Sequence, residues 1–487
     1  MFFVFCFLFS YGQHYLLYGI TWGGGVSNNY AGYGMIYRYD PMTNELDTLH
    51  SLNGTDGIHT YGNLTLASNG LLYGSTLIGG IKDSGVLFSF NPYNLQYNVL
   101  VSFDIKKGYY EYNSNTLMQA KDGLLYGTRE LGGAYDSGGT LFSYNIITGK
   151  DSILHSFKGG YTDGIYPNCT VVEDTNTGYF YGTTLGGGAN EVGVIYRFDP
   201  LTNKDTVIFS FDTLNEDAQL PKANTLLRAN NGLYYGLTAH GGRLDGWGTI
   251  HRFNAATDQD TTLYRFATTD SGLGPQWNNL MQASNGLIYG MTTASIISPY
   301  DGVMFSYDIL TNKVIDVIHF NGPNGNFSEG SLVQDPDNGL LYGVTQKGGT
   351  YGWGILFSYN ITTGQENVLV NFNDTNGAYP ESGLTLVLDT GGLGVPQIHP
   401  AISGNTRVEP NPNNGVFTLT LPSPSGEGVS FVVIYNMMGQ QVYDKMLKPV
   451  QHDYKIDLSS RPAGIYLYRV VTTSGKLIGD GKFVIER

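Results

Sequence analysis

Short runs in which apolar and polar residues alternate recur along most of the chain, and they predict strands rather than helices. One unit reads LLYGVT, then ILFSYN at 355–360, ENVLVNF at 366–372 and GLTLVLD at 383–389. Gly, Asn, Asp or Pro residues bound these runs, which is the pattern of short strands joined by turns. No stretch keeps the 3.6-residue apolar period of an amphipathic helix. The pattern therefore predicts an all-β protein.

A Tyr-Gly pair that follows apolar residues marks each unit. Its spacing is about 54 residues, and four short strands in a repeat of this length are typical of a β-propeller blade of kelch size. We therefore predict a seven-bladed β-propeller of four-stranded blades over residues 14–390, with an open solenoid as the alternative. The copies lie at Tyr18, Tyr73, Tyr126, Tyr181, Tyr235, Tyr289 and Tyr342.

The two ends of the repeat region are complementary. The first unit begins at its Tyr-Gly strand and lacks the strand that precedes this pair in the other units. The last unit is followed by an extra strand of that type, at 383–389. Pairing of 383–389 beside 14–20 would close the ring and remove the exposed edges of an open stack.

Composition narrows the class of protein. The chain has 67 Gly, 37 Tyr and 24 Phe, and only 14% of its residues are charged. Helical bundles need more Ala, Glu and Lys, and disordered chains contain few aromatic residues. A formal net charge of −15, all of it arising before residue 405, argues against a nucleic-acid partner, because phosphate recognition needs a basic surface.

The N-terminal run MFFVFCFLFS is apolar but too short to span a bilayer. We interpret residues 1–13 as the remnant of a signal peptide that has lost its basic start. A buried first strand is the alternative. No other stretch is long and apolar enough for a transmembrane helix. The two cysteines, Cys6 and Cys169, form no disulfide framework.

The glycine-rich strings after the Tyr-Gly pairs resemble the tandem-repeat family named after Gloeobacter and Verrucomicrobia proteins. The sixth unit departs from the pattern and has no Gly-Gly pair. The resemblance implies an exported, propeller-like protein, and it implies neither an enzymatic activity nor catalytic residues. The matching strings are LLYGSTLIGG, LLYGTRELGG, FYGTTLGGG, LYYGLTAHGG and LLYGVTQKGG.

Composition changes near residue 390. Residues 391–406 are rich in Gly and Pro and show no strand alternation, so we interpret them as a linker. Beyond them, runs such as VFTLTL, SFVVIYN and GIYLYRVVT predict a small Ig-like β-sandwich over 407–487. An ordinary Ig-like binding module is one interpretation of this segment.

Motifs in this last segment resemble the type A C-terminal sorting domains of the type IX secretion system. They are NPNNG at 411–415, VIYNMMGQ at 433–440, IDLS at 456–459, PAGIY at 462–466 and GKFVI at 481–485. The resemblance implies the type IX secretion machinery as a partner, and passage through the periplasm to the outer surface of a Gram-negative bacterium or to the medium. It also implies that the domain is cleaved after export. The sorting-signal residues on these motifs are Pro462, Gly464, Tyr466, Lys482 and Val484.

The chain lacks the familiar catalytic motifs. No HExxH, G-x-S-x-G or P-loop sequence occurs, and no Cys/His zinc spacing. We therefore expect no enzyme and no cofactor. Carboxylates that end the loops between the second and third strands of several units are weak candidates for binding a cation such as calcium. Solvated turn residues are the plainer interpretation of this set: Asp83, Asp136, Glu191, Asp245 and Asp301.

Aromatic residues in the long loops are the candidates for ligand binding. Strands alternate in direction, so the long loops share one face, and function often lies on loops that a rigid scaffold holds. We predict that this face binds a glycan or another surface polymer, and that the protein is a monomer. Packing between blades is the alternative role for these rings, and a structural surface component or a polysaccharide-acting enzyme is the alternative function. The candidates are Trp22, Trp247, Trp277, Trp353, Tyr33 and Tyr351.

Overall fold

The computed structural model confirms the all-β, propeller-like fold, since the residues that it describes form strands and turns and include no helix. Consequently no helix in this described part is long and apolar enough to cross a membrane. The chain divides into two compact units, Met1–Asp389 and Thr390–Arg487. The structure describes residues 14–25, 32–104, 116–135, 138–212, 218–219, 221, 226–241, 247–266, 272–275, 278–295, 302–389, 407–421, 430–436, 441–447, 453–472 and 477–486. The predicted signal remnant at 1–13 and linker at 391–406 lie outside them.

The first unit contains seven four-stranded antiparallel sheets within these residues, and each sheet carries one Tyr-Gly pair. We number the sheets 1 to 7 along the chain and name their strands a, b, c and d in hydrogen-bonding order. Sheets 1 to 3 consist of Thr385–Asp389, His14–Ile20, Met35–Asp40 and Glu45–Ser51; Thr65–Leu66, Leu72–Ser75, Val86–Phe90 and Tyr97–Ser102; Met118–Gln119, Leu125–Arg129, Thr140–Asn145 and Lys150–Ser156.

The remaining four sheets follow the same order. Sheets 4 and 5 consist of Val172–Glu173, Phe180–Thr184, Val194–Asp199 and Lys204–Ser210; Leu227–Arg228, Tyr234–Thr238, Thr249–Asn254 and Gln259–Arg265. Sheets 6 and 7 consist of Met281–Gln282, Ile288–Met291, Val303–Asp308 and Lys313–His319; Val333–Gln334, Leu341–Thr345, Ile355–Tyr359 and Glu366–Asn371. Short loop ribbons pair Gly164–Ile165 with Gly186–Gly187, Ala218–Gln219 with His240–Gly241, and Gly272–Leu273 with Ala294–Ser295.

The two ends of the repeat region meet in sheet 1. Thr385–Asp389 pairs antiparallel with His14–Ile20, in a register that places His14 opposite Asp389 and Tyr18 opposite Thr385. Ser382 extends this contact, because its hydroxyl donates to the carbonyl of Ile20 at 2.7 Å. The predicted pairing of 383–389 beside 14–20 is therefore confirmed.

Seven buried apolar clusters lie between neighbouring sheets. Leu16 of sheet 1 and Phe88 of sheet 2 share one cluster, for example, and Leu17 of sheet 1 shares another with Leu356 of sheet 7. The other five clusters join sheets 2 to 7 in sequence. Burial of apolar area at about 25 cal/mol per Å² stabilises each contact, and sheet 7 thereby packs back against sheet 1.

The Tyr-Gly pair has a packing reason. In five of the seven sheets the tyrosine hydroxyl bonds to an Asn or Asp of the preceding a–b turn, as in Asn69 to Tyr73 at 2.8 Å. The glycine lies beneath an aromatic ring of strand c, so that a Cβ on Gly74 would stand only 2.5 Å from Cζ of Phe88. Six other strands b repeat this close approach, so the ring on strand c requires glycine at each position.

The face formed by the short turns joins neighbouring sheets. Side chains of strand a accept hydrogen bonds from backbone N–H groups in the a–b turn of the preceding sheet, as Gln119 does from Ser68 at 2.7 Å. Glu173, Gln282 and Gln334 make the same bond. The opposite face carries the b–c and d–a loops, and we call it the long-loop face.

The second unit consists of two sheets around one core. Arg407–Glu409, Val416–Thr420 and Asp453–Asp457 form a three-stranded sheet. Gln441–Leu447, Ser430–Asn436, Gly464–Thr472 and Leu477–Ile485 form a four-stranded sheet. Buried residues of both sheets, among them Phe417, Ile434 and Phe483, share the core between them.

Candidate functional site

A backbone bridge recurs where neighbouring sheets meet on the long-loop face. Tyr379, in a d–a loop, donates its N–H to the carbonyl of Trp353 in sheet 7 at 2.9 Å, and its own carbonyl accepts from Trp22 of sheet 1 at 3.0 Å. His59 and Tyr166 make the same bridge at other junctions. All three bridging residues have φ between 54° and 61°, an uncommon conformation for a residue with a side chain. The bridge thus fixes the backbone of each bridging residue, and with it the point at which its side chain begins.

Five rings form one continuous cluster around the junction of sheets 7 and 1, and we call this cluster the aromatic arc. The ring centroids of Trp353 and Tyr379 are 5.0 Å apart, and those of Tyr379 and Trp22 are 6.2 Å apart with the rings edge to face. Trp22 stacks on His59 at 3.6 Å with the planes parallel within 1°, and its Nε1 donates to the hydroxyl of Tyr61 at 3.1 Å. All five side chains are half-buried, so the arc is packed and still reaches solvent.

His59 lies at one end of the arc, stacked on Trp22. Its Nδ1 lies 2.8 Å from the carbonyl oxygen of Trp22. Burial lowers the pKa of His59, although the hydrogen bond to Trp22 opposes this shift. The imidazole is therefore neutral at pH 7, and its contact with the indole is a stack of two neutral rings.

Two glutamates, the buried Glu381 and the half-buried Glu329, lie beside the arc. Gln346 of sheet 7 donates through Nε2 to Glu329 at 3.1 Å and also to Glu381. Burial raises the pKa of Glu329 to about 7, against the influence of Lys347. Burial and the charge of Glu329 raise the pKa of Glu381 well above its usual range. The pair therefore holds at least one proton near neutral pH, and Glu381 also raises the pKa of Tyr379, behind the contributions of burial and Asp374.

Comparisons with known proteins agree with this architecture. A sequence model of the Gloeobacter/Verrucomicrobia repeat matches residues 11–184 and 170–395. The chain belongs to the Gloeobacter/Verrucomicrobia repeat family. A second model, of the secretion system C-terminal sorting domain, matches residues 407–486. Comparison with curated protein sequences gives no significant match.

Solved structures resemble this Gloeobacter/Verrucomicrobia repeat protein in fold alone. A crystal structure of a protein from Lactobacillus plantarum is 14% identical with a TM-score of 0.50, over 77% of this chain and 99% of that one. A candidate 6-phosphogluconolactonase from Bacteroides uniformis is 13% identical with a TM-score of 0.49, over 77% of this chain and all of that one. A similar candidate from Bacteroides fragilis is 13% identical with a TM-score of 0.47, over 77% and 98%.

The sorting domain indicates that this repeat protein is secreted or attached at the outer surface of a Gram-negative bacterium of Bacteroidetes type. Its first and last motifs meet in the structure. Asn411 accepts from the N–H of Val484 at 2.9 Å, and the N–H of Asn413 donates to the carbonyl of Val484 at 2.9 Å. The NPNNG segment is therefore bound to the end of the C-terminal strand.

The predicted sorting-signal residues differ in exposure. Tyr466 is buried against Phe483, and its hydroxyl donates to the carbonyl of Pro462 at 2.8 Å. Pro462, Gly464 and Lys482 are exposed, and Val484 is half-buried. Tyr466 thus packs in the core of the unit, and three of the other four residues are accessible to a partner.

The predicted ligand-binding residues of the repeat protein lie in different surroundings. Trp22 and Trp353 belong to the aromatic arc. Trp247 occupies the repeat position of Trp353, in sheet 5, and is 38% exposed. Tyr33 packs on the apolar cluster of sheets 1 and 2, which favours the packing interpretation for this ring, and Tyr351 is exposed on its loop. Trp277 lies outside the described residues.

The predicted acidic cation site divides as well. Asp83 and Glu191 are exposed, have φ of 51° and 61°, and each occupies a tight turn of a b–c loop. Oδ1 of Asp83 accepts the N–H of Gly79 at 3.1 Å, which is turn chemistry. Asp136, Asp245 and Asp301 lie outside the described residues. A different set, His155, Asp163 and Asp205, has ligand atoms that all lie within 4.8 Å of one another.

Sequence analysis missed the glutamate pair, His59, Tyr379 and the histidine–aspartate set. Alignment of the repeats gives a signal for the first three. Glu329 and Glu381 occupy one repeat position, five residues after the Asn of an Asn-Gly pair. His59 and Tyr379 occupy another, three residues after the first residue of an Asp-Gly pair and of an Asn-Gly pair, respectively. The histidine–aspartate set combines residues of two repeats, so its members meet only after folding.

Proposed function

We propose that this exported, propeller-like protein is a binding module that recognises a glycan or a similar uncharged surface polymer on its long-loop face. The aromatic arc is the observation that carries the proposal. Trp353, Tyr379, Trp22 and His59 present contiguous rings across a junction of two sheets. Apolar ring faces with polar edges suit the mixed apolar and hydroxyl surfaces of a sugar chain.

Polar groups beside the arc support the same ligand class. Gln346 and the partly protonated glutamate pair offer both donors and acceptors of hydrogen bonds, and Lys347 is exposed nearby with Nζ 4.5 Å from the ring centroid of Phe327. The net charge of −15 disfavours strongly acidic polymers. An uncharged or cationic glycan is therefore the preferred ligand.

The glutamate pair favours a second candidate function, a glycan-cleaving hydrolase. Such enzymes use two carboxyl groups, one of which has a raised pKa and donates a proton. The pKa of Glu329 is raised to about 7 by burial, and Gln346 holds both carboxyl groups near one another. Glu381 is only 8% exposed, which favours binding over catalysis, because a catalytic acid must reach the glycosidic oxygen.

A glycan array with the purified full chain tests the proposal. We expect selective binding of neutral or cationic polysaccharides, and weaker binding by the Trp353→Ala variant. A panel of hydrolase substrates tested with the wild-type chain distinguishes the two candidate functions, because a glycan-cleaving hydrolase would release reducing ends. An array without any bound glycan would contradict the binding module and favour a structural surface component.

Delivery by the sorting domain has its own test in the native host. Deletion of residues 407–487 is expected to retain the protein inside the cell, since the type IX machinery then lacks its signal. Normal export of the shortened chain would contradict the delivery role. Mass spectrometry of the released wild-type protein should show loss of the segment that ends at Arg487.

A further inference from the structure

Three side chains with metal-ligand chemistry meet at the junction of sheets 3 and 4. Nε2 of His155 lies 3.4 Å from Oδ1 of Asp163 and 4.0 Å from Oδ2 of Asp205. The side chains of Asp163 and Asp205 are only 5% and 7% exposed. Side chains as polar as these are seldom buried without a partner that neutralises them.

The fold itself fixes this meeting. His155 lies on strand d of sheet 3, Asp163 begins the Asp-Gly turn that follows, and Asp205 lies on strand d of sheet 4. Asp163 is anchored, because its Oδ2 accepts the N–H of Lys158 at 3.0 Å and its Oδ1 accepts the N–H of Gly164 at 2.8 Å. The cluster therefore spans two sheets.

Several polar atoms at this junction lack a hydrogen-bond partner within the described part of the chain. They are Nε2 of His155, Oδ1 of Asp205 and the hydroxyl of the fully buried Tyr196. A buried carboxylate oxygen without a hydrogen bond is costly, so the described side chains alone do not satisfy this cluster.

The junction of sheets 1 and 2 provides an internal comparison. His50 and Asp56 occupy the positions of His155 and Asp163, with Nε2 3.0 Å from Oδ2. The position of Asp205 is taken by Tyr97, on which His50 stacks at 4.2 Å. Tyr97 also donates its hydroxyl to the carbonyl of Asp56 at 2.6 Å. At this junction the histidine and the aspartate contact each other, and a tyrosine stands where sheet 4 has a second aspartate.

We propose that His155, Asp163 and Asp205 bind one divalent transition-metal ion of the zinc type, which ties sheet 3 to sheet 4. Two carboxylates and a neutral imidazole balance the charge of such an ion. Ligand atoms about 3.4 Å apart suit tetrahedral coordination at ~2.1 Å, so the 4.0 Å pair needs only a small inward shift. His155 is 21% exposed, which leaves a path from solvent.

Zinc suits the site better than calcium does. Zinc accepts mixed nitrogen and oxygen ligands and is bound by as few as three side chains plus one further ligand. Calcium requires six to eight oxygen ligands, and this junction supplies a nitrogen and few oxygens. The remaining coordination position is available to water.

Metal titration of the full chain, without an affinity tag and after removal of metal with EDTA, tests the proposal. We expect one Zn²⁺ per chain by calorimetry, and a visible absorption band when Co²⁺ replaces it. Asp205→Asn should weaken this binding by at least ~10-fold, since loss of a direct ligand exceeds the usual cost of a supporting one. The matched control, Asp56→Asn at the junction of sheets 1 and 2, should bind as the wild-type chain does.

Melting temperatures separate a metal role from a purely structural one. Saturating Zn²⁺ should raise the melting temperature of the wild-type chain and leave that of Asp205→Asn unchanged. The metal-free Asn variant should melt no lower than the metal-free wild-type chain, because it loses a buried carboxylate whose Oδ1 has no hydrogen-bond partner among the described residues. If Asp205→Asn misfolds, Asp205→Tyr is the second variant, because it places at this position the tyrosine that Tyr97 provides at the junction of sheets 1 and 2. Equal Zn²⁺ binding by the wild-type chain and both variants would overturn the proposal.

Discussion

The junction of sheets 7 and 1 and the junction of sheets 5 and 6 have the same backbone hydrogen-bond pattern and differ in their side chains. Tyr379 bridges Trp353 and Trp22 at the first, and Gly274 bridges Trp247 and Thr293 with the same two hydrogen bonds at the second. Both junctions therefore present a tryptophan at one repeat position. Among the described residues, a second and a third ring join it only at the first junction.

This difference separates the backbone feature that the repeats have in common from the side chains that vary between them. The backbone bridge serves every junction where both sides are described, whether the bridging residue is Tyr, His or Gly. Packing of the sheets thus tolerates any of these side chains. The ring cluster at sheets 7 and 1 is consequently available for a role other than folding. Four predictions test this with five variants, in order of the largest effect on ligand binding that each expects.

Trp22→Thr should have the largest effect, because it gives the first junction the threonine of the second. The variant loses the stack on His59, the contact with Tyr379 and the hydrogen bond to Tyr61. Binding of a glycan identified on the array should weaken by about 2–3 kcal/mol, as for a central anchor. Calorimetric titration measures this loss, and unchanged affinity would remove Trp22 from the site.

Trp353→Ala and Trp247→Ala form a matched pair at one repeat position. Trp353 contacts Tyr379 within the arc, whereas Trp247 stands 38% exposed beside a glycine bridge. We expect a loss of about 1–2 kcal/mol for the first and less than ~0.5 kcal/mol for the second. Equal losses in the same titration would mean that the arc is not the binding site.

Tyr379→Gly copies Gly274 and should have a moderate effect. Tyr379 has a φ of 54°, so glycine relieves backbone strain while it removes the ring between the two indoles. Ligand binding should weaken by about 1 kcal/mol, and thermal unfolding should stay close to that of the wild-type chain. A lower melting temperature together with normal binding would identify Tyr379 as a packing residue.

Glu381→Gln should change ligand binding least at pH 7, and its effect should appear in stability instead. Burial raises the pKa of Glu329 to about 7 from an ordinary 4.5, so protonation of the pair stabilises the folded state. This contribution is present below about pH 4.5 and is lost as the pH rises through about 7. Melting temperatures from pH 4.5 to 8 should fall less steeply in the variant, and identical slopes would contradict the coupling of the two carboxyl groups.

Sequence reasoning recovered the parts of the molecule that each repeat encodes locally. Alternating runs near Tyr73 or Tyr342 predict strands, and Gly74 after Tyr73 is explained by the ring of Phe88 above it. The strand at 383–389 was predicted to close sheet 1 because the first unit lacks its own. Trp277, the loop carboxylates Asp136, Asp245 and Asp301, and the first thirteen residues stay predictions, since the structure does not describe them.

The candidate site was only partly predictable, for a reason of distance along the chain. Trp22 and Trp353 were both named from the sequence, but nothing in it distinguished them from Trp247. The contact of Trp22 with Tyr379 depends on the pairing of the two ends of the repeat region, which brings residues more than 300 positions apart to one junction, whereas Trp353 is close to Tyr379 along the chain. Such contacts leave no local periodic pattern.

The sequence by itself determined the strand pattern, the number of repeats and the address carried by residues 407–487, because each of these is written in short motifs or in their spacing. Tertiary structure alone decided which side chains meet. The pairing of Trp22 with Tyr379, of Glu329 with Glu381 and of His155 with Asp205 joins neighbouring sheets. The physical reason is that each repeat buries its faces only against other repeats, so every junction combines side chains from separate parts of the chain.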